Sequence, residues 1–237
     1  MTTQATRQVQ STPVHPAPPV LDLRGAALRT RRSPVFGPLD GVIDQPLTLV
    51  LGDRGSGRTS LLLALGGRMR LTGGSIRTLG YDTARSARTV RSLSAVAGFD
   101  PIDRLDGATR VSEVLRERQT WTSPWYRRVG KPSEKAVHAA LAPVFGAAPV
   151  PVSGELVRDL TEGQDLLLRV SLAMVERPRL LLVDDLDAVK NPAERAQVAA
   201  RLEALAAAGT AVVVGSADLR DAELLEPSTT AVLTLTR

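Results

Sequence analysis

Residues 47–63 read LTLVLGDRGSGRTSLLL and predict a strand, a glycine-rich turn and the beginning of a helix in direct succession. The apolar run at 47–51 is typical of a buried strand. Residues 59–65 favour a helix with one buried side. A glycine-rich turn between a strand and a helix is the setting in which a phosphate-binding loop forms.

The turn has the composition that a cradle for an anion requires. Its glycines permit backbone angles that other residues disfavour, so successive N–H groups can point at one anion, aided by the helix N-terminus. We therefore expect a nucleotide to bind at Gly52, Arg54, Gly55, Ser56, Gly57, Arg58, Thr59 and Ser60. The alternative is an ordinary strand–turn–helix corner with no ligand. The match to G-x-x-x-x-G-K-[ST] is incomplete because Arg58 occupies the lysine position.

Composition excludes several classes of protein. The 237 residues suit one large domain or two small ones, and the lack of cysteine excludes disulfides, thiolate metal sites and cysteine nucleophiles. No apolar run approaches the ~20 residues that span a bilayer, and the first residues lack the apolar core of a secretory signal. The sequence predicts a cytoplasmic protein with a disordered tail at 1–19 and one domain at 20–237.

The net charge of +5 does not by itself indicate a partner. The chain has 30 basic and 25 acidic residues, and its arginines are scattered rather than gathered into a basic stripe with aromatic residues. We therefore expect a solvated basic surface and no nucleic-acid partner.

Predicted strands alternate with predicted helices, which indicates an α/β fold with right-handed crossovers. The later predicted strands lie at 93–97, 180–183, 211–214 and 229–236, and the later predicted helices at 111–116, 134–142, 162–176 and 193–208. Asp184 and Asp185 directly follow the aliphatic run at 180–183. This run is typical of a central parallel strand, and α/β sites lie at the carboxyl edge of such strands.

The order of these elements resembles the ATP-binding cassette (ABC) family, the ATPase subunits of membrane transporters. Four segments carry the resemblance: the phosphate loop (residues 52–60), the signature segment LTEGQ (residues 160–164), the strand that ends in Asp184-Asp185, and VVVGSAD at 212–218. The resemblance implies a P-loop NTPase fold: a mainly parallel sheet with flanking helices, an antiparallel β subdomain and a small helical subdomain at about 100–160.

The resemblance also implies a function. ATP and Mg²⁺ are the expected cofactors, with Thr59 and Asp184 as metal ligands and Asp185 as the catalytic carboxylate. Thr161, Gly163 and Gln164 would contact nucleotide across a homodimer or a heterodimer with another ABC subunit. A separate membrane permease is the expected partner, and it would hold the chain at the inner face of the cell membrane.

Several residues depart from the pattern of the resembled family. Arg58 replaces the loop lysine, Glu162 a signature glycine, Asp185 the glutamate that polarises water, and Ala217 the switch histidine. The family glutamine is also missing at 98–100. Because these changes affect hydrolytic side chains more than the backbone cradle, we expect weak ATP hydrolysis. A non-catalytic regulatory or scaffolding module, or a small-molecule kinase, are the alternatives.

Overall fold

The computed structural model describes residues 18–100, 102–126 and 128–236. Nine strands are found in these ranges: β1 Leu21–Arg29, β2 Pro34–Ile43, β3 Leu47–Leu51, β4 Gly73–Thr78, β5 Tyr81–Asp82, β6 Ser94–Ala97, β7 Leu180–Val183, β8 Ala211–Ser216 and β9 Thr230–Thr234. Six α-helices accompany them: α1 Arg58–Leu65, α2 Ala87–Leu93, α3 Val111–Thr122, α4 Glu134–Phe145, α5 Glu162–Met174 and α6 Pro192–Ala207.

The strands form two sheets. The first is antiparallel, in the order β2-β1-β4-β5, and the second is parallel, in the order β6-β7-β8-β3-β9. The parallel sheet confirms the predicted α/β class. The predicted disordered tail lies almost wholly outside the described residues, and no described helix combines the length and apolarity needed to cross a bilayer.

The strands β3, β7 and β8 of the parallel sheet are buried on both faces, which explains why they are mostly apolar. Successive side chains of a strand point to opposite faces. In β3, Leu49 packs with the helices α3 to α6, whereas Val50 packs with α1 and the antiparallel sheet. In β7, Leu181 and Leu182 divide between the same two cores. One sheet thus joins the two cores and fixes both relative to its carboxyl edge.

The observed elements differ from the predicted ones at a few places. The expected strand at 41–44 is the end of the longer β2, the expected turn at 80–82 contains the short β5, and α2 was not predicted. Both of the missed elements are short, at two and seven residues. The predicted edge strand at the end of the chain is confirmed as β9.

The few aromatic residues divide sharply between the interior and the surface. Phe36, Phe99 and Phe145 are all buried. Trp121, Trp125 and Tyr126 lie at the end of α3 and in the segment after it, and they are 74%, 96% and 74% exposed. The sequence leaves open whether this cluster forms a small local core or an exposed docking surface, and the exposure of all three side chains excludes the local core.

Candidate functional site

The phosphate loop leaves the end of β3 and enters α1 with the backbone that its glycines allow. Gly55 and Gly57 have φ values of +82° and +92°. A Cβ atom on Gly57, the N-cap residue of α1, would lie 2.5 Å from the Val35 carbonyl oxygen, so close packing as well as φ requires glycine there.

The loop leaves polar groups available for a ligand. No side chain caps the N-terminus of α1. Among the described residues, the buried Ser56 hydroxyl is one of a few side-chain groups without a hydrogen-bond partner. An uncapped helix start next to an unsatisfied buried hydroxyl suits the oxygens of a phosphate.

The two predicted metal ligands lie together. The Thr59 hydroxyl donates a hydrogen bond to Asp184 Oδ2, and Asp184 Oδ1 accepts one from the Asp185 N–H at 3.0 Å. Two glycines leave space around this carboxylate: a Cβ on Gly215 would lie 2.7 Å from Asp184 Oδ1, and one on Gly98 would lie 2.5 Å from the Asp184 carbonyl oxygen.

A hydroxyl and one carboxylate suit Mg²⁺, which keeps several waters and takes its other ligands from substrate phosphates. No group of three or more His, Asp or Glu side chains that could hold a metal is found within the described ranges. Thr59 and Asp184 are therefore the two oxygen ligands that the described residues bring together at this place. Burial raises the pKa of Asp184 above its ordinary value, even though the Thr59 hydrogen bond acts in the opposite direction.

Arg58 contacts carboxylates of its own chain. Its guanidinium donates from one terminal nitrogen to Asp185 Oδ1 at 3.2 Å and from the other to Asp187 Oδ1 at 3.3 Å. The Arg58 side chain is only 6% exposed, whereas Asp185 is 46% exposed. The predicted phosphate ligand and the predicted catalytic carboxylate thus form an ion pair with each other.

Asp187 is a site residue that the sequence analysis missed. It lies in the 3₁₀ turn Leu186–Ala188 after β7, and its Oδ1 also accepts a hydrogen bond from the Ala217 N–H at 2.9 Å. Burial opposes ionisation of this carboxyl, but the Ala217 N–H and the charge of Arg58 outweigh it, so the pKa of Asp187 is lowered. The sequence pattern that could have identified Asp187 is the presence of three aspartates among residues 184–187, directly after a buried strand.

The signature segment folds as a capped helix start. The sequence predicts Thr161 as the N-cap of the helix that follows, and the structure confirms it. The Thr161 side chain accepts from the Gln164 N–H at 3.2 Å, and Gln164 Oε1 accepts from the Thr161 N–H at 3.1 Å, which is a capping box. The Gly163 N–H donates to Glu194 at 3.1 Å, and Glu162 accepts from the Lys190 N–H.

The signature segment does not meet the phosphate loop within the described chain. Thr161, Gly163 and Gln164 line a cavity of about 180 Å³ with Glu194 of α6, and no residue of the phosphate loop borders it. The sequence-predicted site residues therefore fall into two groups. Thr59, Asp184, Asp185 and Arg58 come together, and the signature residues lie elsewhere.

Ala217, at the switch histidine position of the resembled family, offers only its backbone to the site. The loop around it is held by Arg195 of α6, which bonds Asp218 at 2.9 Å and Asp221 at 3.2 Å. Asp221 also bonds the Ser216 hydroxyl. Because Arg195 is far away in the sequence, this anchoring was not predicted.

The resemblance also implies an aromatic residue upstream of the phosphate loop for stacking on adenine. Phe36, the nearest aromatic residue before the loop, is not accessible because it belongs to the core between α1 and the antiparallel sheet. Arg29 and Thr30, which lie nearer to the implied position in the sequence, are exposed.

Comparisons with known proteins agree on the family of the chain. The sequence model of the ABC transporter family matches residues 43–188. A Streptomyces coelicolor protein described as an ABC transporter ATP-binding protein, SCO5958, is 30% identical over 91% of this chain and 77% of its own length. A second one, SCO2324, is 30% identical over 87% of this chain but only 35% of its own length.

The cytochrome c biogenesis ATP-binding export protein CcmA of Xanthomonas campestris is 41% identical over 32% of this chain and 36% of its own length. The chain thus spans about a third of the length of the first relatives that it matches. Among solved structures, a dimeric bacterial ABC transporter cassette has a TM-score of 0.68 at 15% identity, covering 90% of this chain and 94% of its own. A nucleotide-free cassette has a TM-score of 0.67 at 16% identity, over 91% and 88%. These two likenesses confirm the fold.

Substitution of Asp184 by asparagine should stabilise the protein at neutral pH. A carboxyl whose pKa is raised on folding stabilises the fold below its unfolded pKa, and this stability is lost as pH rises through the folded pKa. Asp184→Asn removes the charge and can keep both hydrogen bonds, because its amide oxygen can accept from the Asp185 N–H while its NH2 group donates to the Thr59 hydroxyl. We expect its melting temperature to exceed that of wild type by roughly 2–4 °C near pH 7, with the advantage disappearing in acid.

Thermal melts of both proteins without nucleotide or metal, across the acid-to-neutral range, measure this difference. The matched variant Asp106→Asn removes an exposed carboxylate elsewhere and should melt like wild type at every pH. Equal melting temperatures for Asp184→Asn and wild type near neutral pH would contradict the argument.

Proposed function

Because the chain belongs to the ABC transporter family, we propose that it is an ATP-binding subunit that couples MgATP binding, with slow hydrolysis, to a separate membrane permease. The observation that carries the proposal is the meeting of Thr59 and Asp184 beside the uncapped start of α1. In this proposal the permease holds the chain on the cytoplasmic side, at the inner face of the cell membrane.

Each residue of the site has a role in the proposal. The N–H groups from Arg54 to Thr59 hold the phosphates, and Ser56 and Ser60 add hydroxyls. Thr59 and Asp184 hold Mg²⁺, which when bound neutralises charge on the phosphates. Asp185 orients the attacking water, and its exposure leaves it reachable from solvent.

Nucleotide contact by the signature segment requires a second cassette in the proposed mechanism. Thr161, Gly163 and Gln164 lie apart from the phosphate loop of their own chain, so they would act on nucleotide held by a partner. The Gly163 N–H, now bonded to Glu194, would have to exchange that carboxylate for a phosphate. The proposal is a homodimer or a heterodimer with another ABC subunit.

ATP binding is the first test of the proposal. We expect wild type to bind MgATP with a dissociation constant between about 10 μM and 1 mM, which corresponds to a binding free energy between about −7 and −4 kcal/mol. The affinity is modest because Phe36 is buried and Arg58 is already paired. Thr59→Ala removes the hydroxyl ligand and should weaken binding at least about tenfold when Mg²⁺ is present.

Calorimetric titrations measure both constants, and the exposed threonine of α2 gives a matched control, Thr89→Ala, which should bind like wild type. Gly57→Asp is a blunter variant since its Cβ would press on Val35 and disturb folding. If wild type shows no saturable heat up to millimolar MgATP, the site does not bind nucleotide, and equal dissociation constants for wild type and Thr59→Ala would refute the role of the Thr59 hydroxyl.

The helical subdomain offers a surface for the permease. A groove of about 480 Å³ lies between the segment after β6, α3 and α5, with Ile102, Leu105 and Trp121 among its apolar lining and Arg104, Glu117 and Arg169 among its charged groups. Such a mixed surface suits an amphipathic segment of a partner.

A permease that binds this groove should cross-link to its rim. We expect a photoreactive amino acid at position 121 or 125 to capture the co-purified permease in high yield. The same group at Ala200, an exposed position on α6, serves as the matched control and should give little product. Mass spectrometry of the products locates the contact. Capture confined to position 200 would place the permease on α6 and refute the assignment.

A non-catalytic regulatory module is the second candidate function, favoured by the pairing of Arg58 with Asp185. Steady-state turnover separates the two candidates: a hydrolysing subunit should turn over about tenfold to several hundredfold more slowly than an intact cassette, and a non-catalytic module should show no turnover. The residues that depart from the family pattern would position water and contact the γ-phosphate less well. Each of these losses should raise the activation free energy by roughly 1–3 kcal/mol, and the losses need not add.

The combined variant Arg58→Lys, Glu162→Gly, Asp185→Glu and Ala217→His should raise kcat, measured as phosphate release at saturating ATP on folded protein. The single change Glu223→Gln, on an exposed turn, controls for handling and should not alter kcat. Ordinary cassette turnover by wild type, or no gain in the combined variant, would show that the departures are harmless.

A further inference from the structure

Arg58 lies in an enclosed cluster of charge at the mouth of the phosphate loop. Its side chain is 6% exposed and reaches two carboxylates at once, Asp185 at 3.2 Å and Asp187 at 3.3 Å. The planar guanidinium has donors on both terminal nitrogens and can bridge two acids in a way that the point-like ammonium of lysine does not. The arginine at this position is thus matched to the acids opposite it.

The two carboxylates are not equivalent. The Asp185 side chain is 46% exposed, whereas that of Asp187 is 11% exposed. Asp187 Oδ1, the atom that Arg58 contacts, is also held by the Ala217 N–H at 2.9 Å. Asp187 therefore keeps a hydrogen-bond partner on the side of β8 whether or not Arg58 contacts it.

Phosphates and Asp187 compete for the same group. A bound nucleotide places negative charge beside Arg58. In the nucleotide-free chain, the positive charge of Arg58 is already balanced by two acids. A guanidinium cannot turn fully toward a phosphate while it keeps both carboxylates. Phosphate binding therefore has to outcompete at least one of them.

From this arrangement we infer that Asp187 is a positioning residue that holds Arg58 out of the phosphate cradle in the nucleotide-free protein, and that nucleotide binding releases Arg58 from it. The inference rests on the proposed nucleotide site and adds a regulating contact to it. Because Asp187 also bonds the Ala217 N–H, the release of Arg58 alters a group that holds the loop after β8.

Asp187→Asn tests the inference through two quantities that should move in opposite directions. The nucleotide-free variant should melt roughly 2–6 °C below wild type, because buried Arg58 loses a charged partner. Its dissociation constant for MgATP should fall about tenfold, because Arg58 no longer has to be withdrawn from Asp187.

The chain contains an ion pair away from the site that serves as a control. Arg118 contacts Glu176 at 3.0 Å, with side chains 28% and 43% exposed. Glu176→Gln should lower the melting temperature by at most about 2 °C and leave the MgATP dissociation constant within about twofold of wild type.

Two patterns in the variants would overturn the inference. A lower melting temperature with weaker MgATP binding would show that Asp187 only supports the fold. Tighter binding with an unchanged melting temperature would show simple repulsion of phosphate by Asp187. Absence of binding by wild type itself would refute the proposed function and the inference together, whereas normal wild-type binding with either pattern refutes the inference alone.

A crystal structure of wild type with Mg²⁺ and a non-hydrolysable ATP analogue tests the same step without any substitution. We expect the Arg58 guanidinium to lie beyond about 4 Å from the Asp187 carboxylate, outside ion-pair distance, and to face phosphate oxygens. Retention of the Arg58–Asp187 contact beside bound nucleotide would overturn the inference even if Asp187→Asn does not fold.

Discussion

The parallel register of β6, β7, β8 and β3 is the constraint on which the site depends. Ala97 pairs with Val183 and Val183 with Val214, so the residues that follow them, Gly98, Asp184 and Gly215, lie side by side at the carboxyl edge. Since both neighbours of Asp184 are glycines, its carboxylate has room at an otherwise packed edge. The pairing of β3 with β8 brings the phosphate loop to the same edge, and a hydrogen bond from the Gly52 N–H to the Ser216 carbonyl joins them there.

The carboxyl edge of the parallel sheet carries the Asp184 carboxylate, and burial at this edge disfavours its negative charge. Asp184 is almost fully buried, and its raised pKa shows that ionisation is opposed by burial. Thr59 satisfies one of its oxygens, but no basic side chain is bonded to it within the described residues. A buried carboxylate without a cationic partner is costly unless a cation arrives. A cation bound beside Asp184, as in the proposed magnesium site, would offset this cost.

How much could be predicted from sequence depends on how far apart the contacting residues lie. Contiguous patterns were sufficient for the parallel strands, for the phosphate loop and for the Thr161 cap, because the decisive contacts are local or follow from strand order. Thr59 and Asp184 are 125 residues apart, yet both follow buried strands, so their meeting could also be predicted. The short helix α2 carries too few apolar residues to give a periodic signal, with Val90 as its one buried residue.

The contacts of individual long side chains could not be predicted in the same way. Arg58 was assigned to phosphates from its position, and no local pattern indicates that it turns toward Asp187 across 129 residues of sequence. The bond between Gly163 and Glu194 is hidden for the same reason. Rotamers of arginine and glutamate are chosen by the assembled charges around them, which a one-dimensional pattern does not contain.

The residues that depart from the family pattern have partners inside this chain. Arg58 is bonded to Asp185 and Asp187, Glu162 accepts from the Lys190 N–H, and the Ala217 N–H donates to Asp187. Residues that change without constraint would not be expected to acquire bonded partners together. Asp187 connects two of these positions, since one of its oxygens binds both Arg58 and Ala217. Arg58, Asp185 and Ala217 therefore belong to one polar network at the phosphate loop, whereas Glu162 has its partner in a separate part of the chain. A change at one member of the network must be judged by its effect on the others.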